Sequence, residues 1–220
     1  WYPALTEDNV DLVTTGIREI TPTAIVDEDG VEHPCDTIVF ATGFYVTELP
    51  IAERIRGRDG RTLAETWDGS MQAYLGLAVT GFPNLFLIPG PNVGLGHNSV
   101  VVMFEGQINY TLGAIRELRA RGARSLEVRA DVQESYNRAI QHKLANTVWN
   151  TGGCSSWYLD RRGINTVLWP DFTWRFRLRT QRFDPQRFVF ATPESQGRSA
   201  PGSAEADHHQ AAGPRPAATR

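Results

Sequence analysis

Apolar and polar residues alternate over residues 9–14, which predicts a strand. Residues 23–26 and 31–33 flank Asp27-Glu28-Asp29-Gly30, and the Asp-Gly pair predicts a tight hairpin. Residues 37–41 carry Ile38, Val39 and Phe40 in succession, the pattern of a strand buried on both faces. Residues 50–66 are mixed and glycine-punctuated, a connection with one short helix. Residues 85–88 predict a second buried strand, which runs into a loop rich in Gly, Pro and Asn over residues 89–99. The period then changes. Val101, Phe104, Ile108, Leu112 and Ile115 recur three and four apart, predicting a long helix that buries this face, with Asn98 or Ser99 as N-cap and Gly122 as C-cap. Asp131 is predicted to cap a second helix with Val132, Tyr136, Ile140 and Leu144 inward. Trp174, Phe176 and Leu178 alternate with Arg175, Arg177 and Arg179, predicting a strand with one dry and one basic side. Residues 191–220 contain no large apolar residue and are predicted to be disordered.

The 220 residues are 41% hydrophobic, enough for one or two modest domains. A net charge of −3 gives no overall case for nucleic acid or an anionic membrane as partner. No apolar run approaches the ~20 residues that span a bilayer. The start at Trp1 lacks the basic and apolar regions of a signal peptide and suggests a fragment. Cys35 and Cys154 are the only cysteines, too few for a disulfide framework, so a reducing, cytoplasmic setting is expected.

Two segments carry candidate chemistry. In the first, Ala41-Thr42-Gly43 ends the strand at 37–41 in a small-residue turn that permits close approach to something flat or charged. In the second, Gly90, Gly94 and Gly96 permit close backbone approach, and Asn92, Asn98 and Ser99 offer hydrogen bonds just before a helix N-terminus. A helix start carries about half a positive charge and free N–H groups, which suit an anionic or electron-rich ligand. Residue types alone favour an ordinary strand-to-helix turn whose glycines serve only geometry. His97 has no partner that would make it a general base. Cys154 lacks a CxxC or histidine neighbourhood, and His208-His209 are too few for a metal site. The three arginines at 175–179 either attract phosphates or form a solvated face.

Asp36-Thr37-Ile38-Val39-Phe40-Ala41-Thr42-Gly43-Phe44 resembles the strand-and-turn signature of NADPH-dependent class B flavin monooxygenases. These comprise the Baeyer–Villiger monooxygenases and the flavin-containing monooxygenases. Gly81-Phe82-Pro83-Asn84-Leu85-Phe86, Gly90-Pro91-Asn92 and Gly94-Leu95-Gly96-His97-Asn98-Ser99 are similar to the flavin-edge segment of that family. Trp67-Asp68-Gly69 and Tyr74-Leu75-Gly76 match it as well. Cys154 to Asp160, Asn165-Thr166 and Leu168-Trp169-Pro170 resemble its closing segment, and Tyr2-Pro3-Ala4-Leu5 with Asn9-Val10 its entry. The resemblance covers roughly residues 1–190 in order.

That resemblance implies FAD and NADPH as cofactors and a two-dinucleotide-domain, Rossmann-like α/β flavoprotein that is incomplete here. Residues 1–35 would end the NADPH domain, 36–150 would belong to the FAD domain, 151–190 would close the fold, and 191–220 would be the tail. Ala41, Thr42 and Gly43 would link the two nucleotide domains. Gly90, Asn92, Gly96, Asn98 and Ser99 would lie along the flavin ring and ribityl chain, and Trp157 would either lean on the NADP side or pack in a core. The implied reaction places one oxygen of O2 into a ketone, or onto a nucleophilic nitrogen or sulfur. No GxGxxG occurs, and the family's Baeyer–Villiger fingerprint and catalytic arginine are absent. The chain is therefore expected to hold half a cofactor site, to need an N-terminal half, and not to oxidise NADPH alone; a non-catalytic module that binds no flavin is the alternative.

Overall fold

The computed structural model describes residues 1–153 and 156–192. They form two compact units, divided between Phe44 and Tyr45.

The first unit opens with a 3₁₀ turn, Tyr2–Thr6, and contains a three-stranded antiparallel meander of β1 (Ile17–Ile20), β2 (Ala24–Asp27) and β3 (Glu32–Pro34). The predicted hairpin is there: Ile25 pairs with His33 and Val26 with Glu32. Asp27 organises its turn. One carboxylate oxygen accepts the Val31 N–H at 2.8 Å, and the other lies 3.0 Å from His33 Nε2.

The strands expected at 9–14 and 37–41 are not formed. Leu12 is 69% exposed, Val39 84% and Phe40 72%. Apolar character alone does not make a strand, because the backbone needs a ladder partner. β1 to β3 pair only with one another, so these two segments join no ladder.

The second unit begins with a 3₁₀ turn, Pro50–Glu53, and α1 (Leu63–Trp67). The short helix expected in this connection is thus confirmed. Its start carries a capping box: Thr62 Oγ1 accepts the Glu65 N–H at 3.1 Å, and the Glu65 carboxylate accepts the Thr62 N–H at 2.6 Å. Then come α2 (Val101–Ala120), β4 (Ser125–Val128), α3 (Ala130–Leu144), α4 (Val148–Thr151), α5 (Thr173–Thr180) and β5 (Phe188–Ala191). β4 and β5 pair antiparallel, Leu126 opposite Phe190 and Val128 opposite Phe188. Ala191 therefore belongs to a strand, and the tail predicted as disordered lies, from residue 193 onward, outside the described residues, as does Cys154.

The main core gathers Leu75, Leu77, Met103, Tyr110, Val128, Ile140, Leu144, Leu168 and Phe176. A second cluster holds Leu63, Trp67, Val79 and Phe82.

Further predictions about this unit are corrected. Residues 85–88 are not a strand; Leu87 N–H donates to Leu77 O at 2.9 Å and Leu85 N–H to Phe82 O at 3.3 Å, but no ladder forms. α2 buries Met103, Gly106, Gln107, Tyr110 and Ala114, while Val101, Ile108, Leu112 and Ile115 are exposed. The periodicity marked the more apolar stripe, but packing selected the face on which Gln107 donates to the carbonyls of both Leu75 and Gly76. The position preceding this helix is Val100, without a side-chain cap, rather than Asn98 or Ser99; Gly122 does follow its end. Residues 174–179 are helical, not a strand. Phe176 and Thr180, four apart, face inward, and the Asp171–Arg175 pair spans the first turn.

α3 buries the predicted face, Val132, Tyr136, Ile140 and Leu144, but Arg129 holds its N-cap position. Asp131 sits in the first turn, bonded to the Arg129 guanidinium.

Candidate functional site

The loop at 90–99 is built on a clamp. Asn92 is 2% exposed and adopts a left-handed backbone, φ +56°. Its amide donates to the carbonyls of Asn165 at 2.8 Å and Leu168 at 3.0 Å, and its N–H donates to Thr166 O at 2.8 Å. Gly94 continues the pairing with Leu168, donating to Val167 O and accepting from the Trp169 N–H, each at 2.8 Å. Gly90 packs so tightly that a Cβ there would fall 2.3 Å from Gly76 O. Asn92 and Gly90 thus shape the loop from inside. With both amide hydrogens spent on protein carbonyls, Asn92 offers no donor to a ligand.

Past Gly94 the loop emerges. Residues 96–99 are exposed. A Cβ on Gly96 would lie 2.7 and 2.8 Å from the Trp149 ring. Trp149 meets Tyr158 edge-on at 5.4 Å, and Tyr158 meets Trp157 at 5.0 Å. The structure therefore brings two predicted residues, Gly96 and Trp157, to one aromatic row through two that the sequence reading missed, Trp149 and Tyr158. Tyr158 was signalled by its place beside Trp157; nothing local marked Trp149, on the four-residue α4. Trp157 itself is 52% exposed rather than in a core.

Asn98 turns back on its own segment, its Oδ1 accepting the Ser99 N–H at 2.7 Å, while its Nδ2 donates to Thr173 Oγ1 at 3.1 Å. Thr173 is a third residue the sequence did not flag. It is held by the start of α5, where Asp171 accepts the Phe172 N–H and pairs with Lys143 and Arg175. Burial works to raise the Asp171 pKa. Lys143, the Phe172 N–H and Arg175 together outweigh it and hold the carboxyl at about 2.

Ala41, Thr42 and Gly43 lie exposed in the first unit, with Gly43 at φ +78°. His97 is exposed on the loop. A cavity of about 620 Å³ beside α1, walled by Leu49, Ala52, Trp67 and Met71, shares no residue with the loop. Among the described residues no group of three His, Cys, Asp or Glu side chains is placed to hold a metal. No helix there is long and apolar enough to cross a membrane.

No protein-family model matches the chain. It is 47% identical over 194 residues to a Baeyer-Villiger monooxygenase of Streptomyces coelicolor, an alignment that covers 88% of this chain and 37% of that protein. Cyclohexanone monooxygenase from Rhodococcus sp. Phi1, solved bound to NADP+, matches with a TM-score of 0.71 and 25% identity over 87% of this chain and 37% of that one. OTEMO, solved in complex with FAD and NADP, matches with a TM-score of 0.69 and 26% identity over 86% and 36%. The chain spans little more than a third of the length of these relatives. The fold class is α/β, as expected. Identity of this level across nearly the whole described fold means that the chain belongs to the class B flavin-dependent monooxygenase family and matches its C-terminal portion.

Proposed function

We propose that this chain supplies the flavin-edge loop and closing segment of an FAD- and NADPH-dependent monooxygenase that inserts one oxygen of O2 into a ketone. The observation that carries the reading is the loop at 96–99. It is exposed, carries no Asp, Glu, Lys or Arg, and leads into a 20-residue helix whose N-terminus no side chain caps. Val102 and Met103 donate to the carbonyls of Ser99 and Val100, which leaves the N–H groups of Val100 and Val101, with the helix dipole, to favour the electron-rich edge of a flavin ring. At Gly96 the Trp149 ring occupies the position that a Cβ would take, which supports the reading that the loop runs there as bare backbone.

In this reading Gly96, Asn98 and Ser99 hold the ring edge and ribityl chain, and Gly90 and Asn92 fix the loop that presents them. Ala41, Thr42 and Gly43 link the nucleotide domains, and Trp157 faces the NADPH side. Bound FAD, reduced by NADPH, supplies the O2-activating chemistry. The aromatic row of Trp149, Tyr158 and Trp157 excludes water from one flank of the site. An N-terminal portion of the same enzyme is the required partner, and oxygenation at nitrogen or sulfur is the variant outcome within the same chemistry.

The test is a chimera in which this chain replaces the matching segment of the Streptomyces coelicolor relative. The expected product is yellow, retains FAD on gel filtration and oxidises NADPH when a ketone is added. A folded, colourless chimera overturns the reading and favours a module that binds no flavin. A yellow chimera that responds to amines or sulfides but not ketones moves the substrate class.

A further inference from the structure

A cavity of about 380 Å³ opens between α2, α3 and the segment after α5, and none of its lining residues belongs to the loop at 90–99. Tyr110, on its wall, lies nine residues beyond Val101, roughly 14 Å along α2 at ~1.5 Å per residue. Three tyrosines line it. Tyr74 meets Tyr136 edge-on at 5.3 Å and Tyr110 at 6.5 Å. Tyr136 is 8% exposed, and its hydroxyl finds no hydrogen-bond partner among the described residues. An enclosed hydroxyl without a partner is unfavourable, and a phenylalanine would fill the same volume without that cost.

The rim carries two guanidinium groups. Arg187 Nε donates to Asp184 Oδ2 at 3.1 Å. Arg179 rests over the Trp169 ring at 5.8 Å and has no carboxylate partner among the described residues. The rim is thus one positive charge in excess, above a wall of aromatic edges. Ring edges carry partial positive charge and also favour an anion or the face of a second ring.

We infer that this cavity binds a small organic carboxylate with a flat apolar body. The carboxylate pairs with Arg179 and accepts the Tyr136 hydroxyl proton in a hydrogen bond, and the body packs against the tyrosine wall. An organic cation would meet two guanidinium groups, and an inorganic anion would leave the wall uncovered.

The experiment titrates the full 220-residue chain with benzoate, reading near-UV circular dichroism and tyrosine fluorescence, with benzylamine and inorganic phosphate as parallel arms. Benzoate is expected to saturate, and benzylamine to give no saturable change. Phosphate should compete at least about tenfold more weakly, the loss of one well-packed ring contact. Arg179→Gln is expected to weaken benzoate about tenfold or more, the value of a charge-assisted bond. Tyr136→Phe should weaken it about fivefold while leaving the unliganded thermal midpoint unchanged or raised, because the lost hydroxyl had no protein partner. Absence of saturation, equal competition by phosphate, or unchanged affinity in a folded Tyr136→Phe variant overturns the assignment.

Discussion

Replacing Asn92 by Ala tests whether the loop at 90–99 is held from within. The substitution removes two buried hydrogen bonds. The Asn165 carbonyl keeps a second donor, Gln141 Nε2 at 2.9 Å, so there the loss is one net bond, about 1 kcal/mol. The Leu168 carbonyl has no other donor among the described residues and is left unpaired in the interior, at about 1–3 kcal/mol. The backbone at φ +56° suits Asn far better than Ala, which adds about 1 kcal/mol. The sum is about 3–5 kcal/mol, or a midpoint lowered by about 10 °C for a chain of this size. Urea unfolding followed by tryptophan fluorescence measures it, since Trp67 and Trp169 are buried. Asn92→Gly isolates the backbone part and should recover about 1 kcal/mol relative to Ala. A loss below about 1 kcal/mol for Asn92→Ala would refute the clamp and return the Asn92 amide to the list of groups free for a ligand.

In the chimera, Gly96→Val is expected to drive its new side chain into Trp149, displace residues 96–99 and abolish FAD retention, while a full flavin complement would show that the loop edge is misassigned. Asp171, held at about 2 against an ordinary 3.8, stabilises the fold as a carboxylate; that contribution is complete above about pH 4 and is lost as pH falls through 2. Asp171→Asn should therefore flatten the acid limb of the stability profile between pH 4 and pH 2, and parallel profiles for the two proteins would contradict the ion-pair account. Ile108→Ser, on the exposed apolar stripe of α2, should change stability by no more than about 0.5 kcal/mol and raise solubility, whereas a midpoint drop of several degrees would mean that the stripe is covered.

The sequence by itself determined what depends on neighbours along the chain. The Asp-Gly hairpin, the two long helices and the inward face of α3 follow from local turn chemistry and a 3.6-residue period, and the ordered family motifs located the glycine loop. Tertiary structure decided the rest. It chose the face of α2, because Gln107 finds two carbonyls at Leu75 and Gly76 that no periodicity records. It made residues 173–180 a helix, because Phe176 and Thr180 pack inward while the arginines and Trp174 stay in solvent. It left residues 37–41 unpaired, since a strand exists only when another backbone accepts its hydrogen bonds. It also separated two asparagines of one loop, which sequence treats alike: Asn92 is spent inside on Asn165 and Leu168, and Asn98 stands outside against Thr173. Residue type sets what a side chain is able to bond, but only the packed fold sets which partners remain for a ligand.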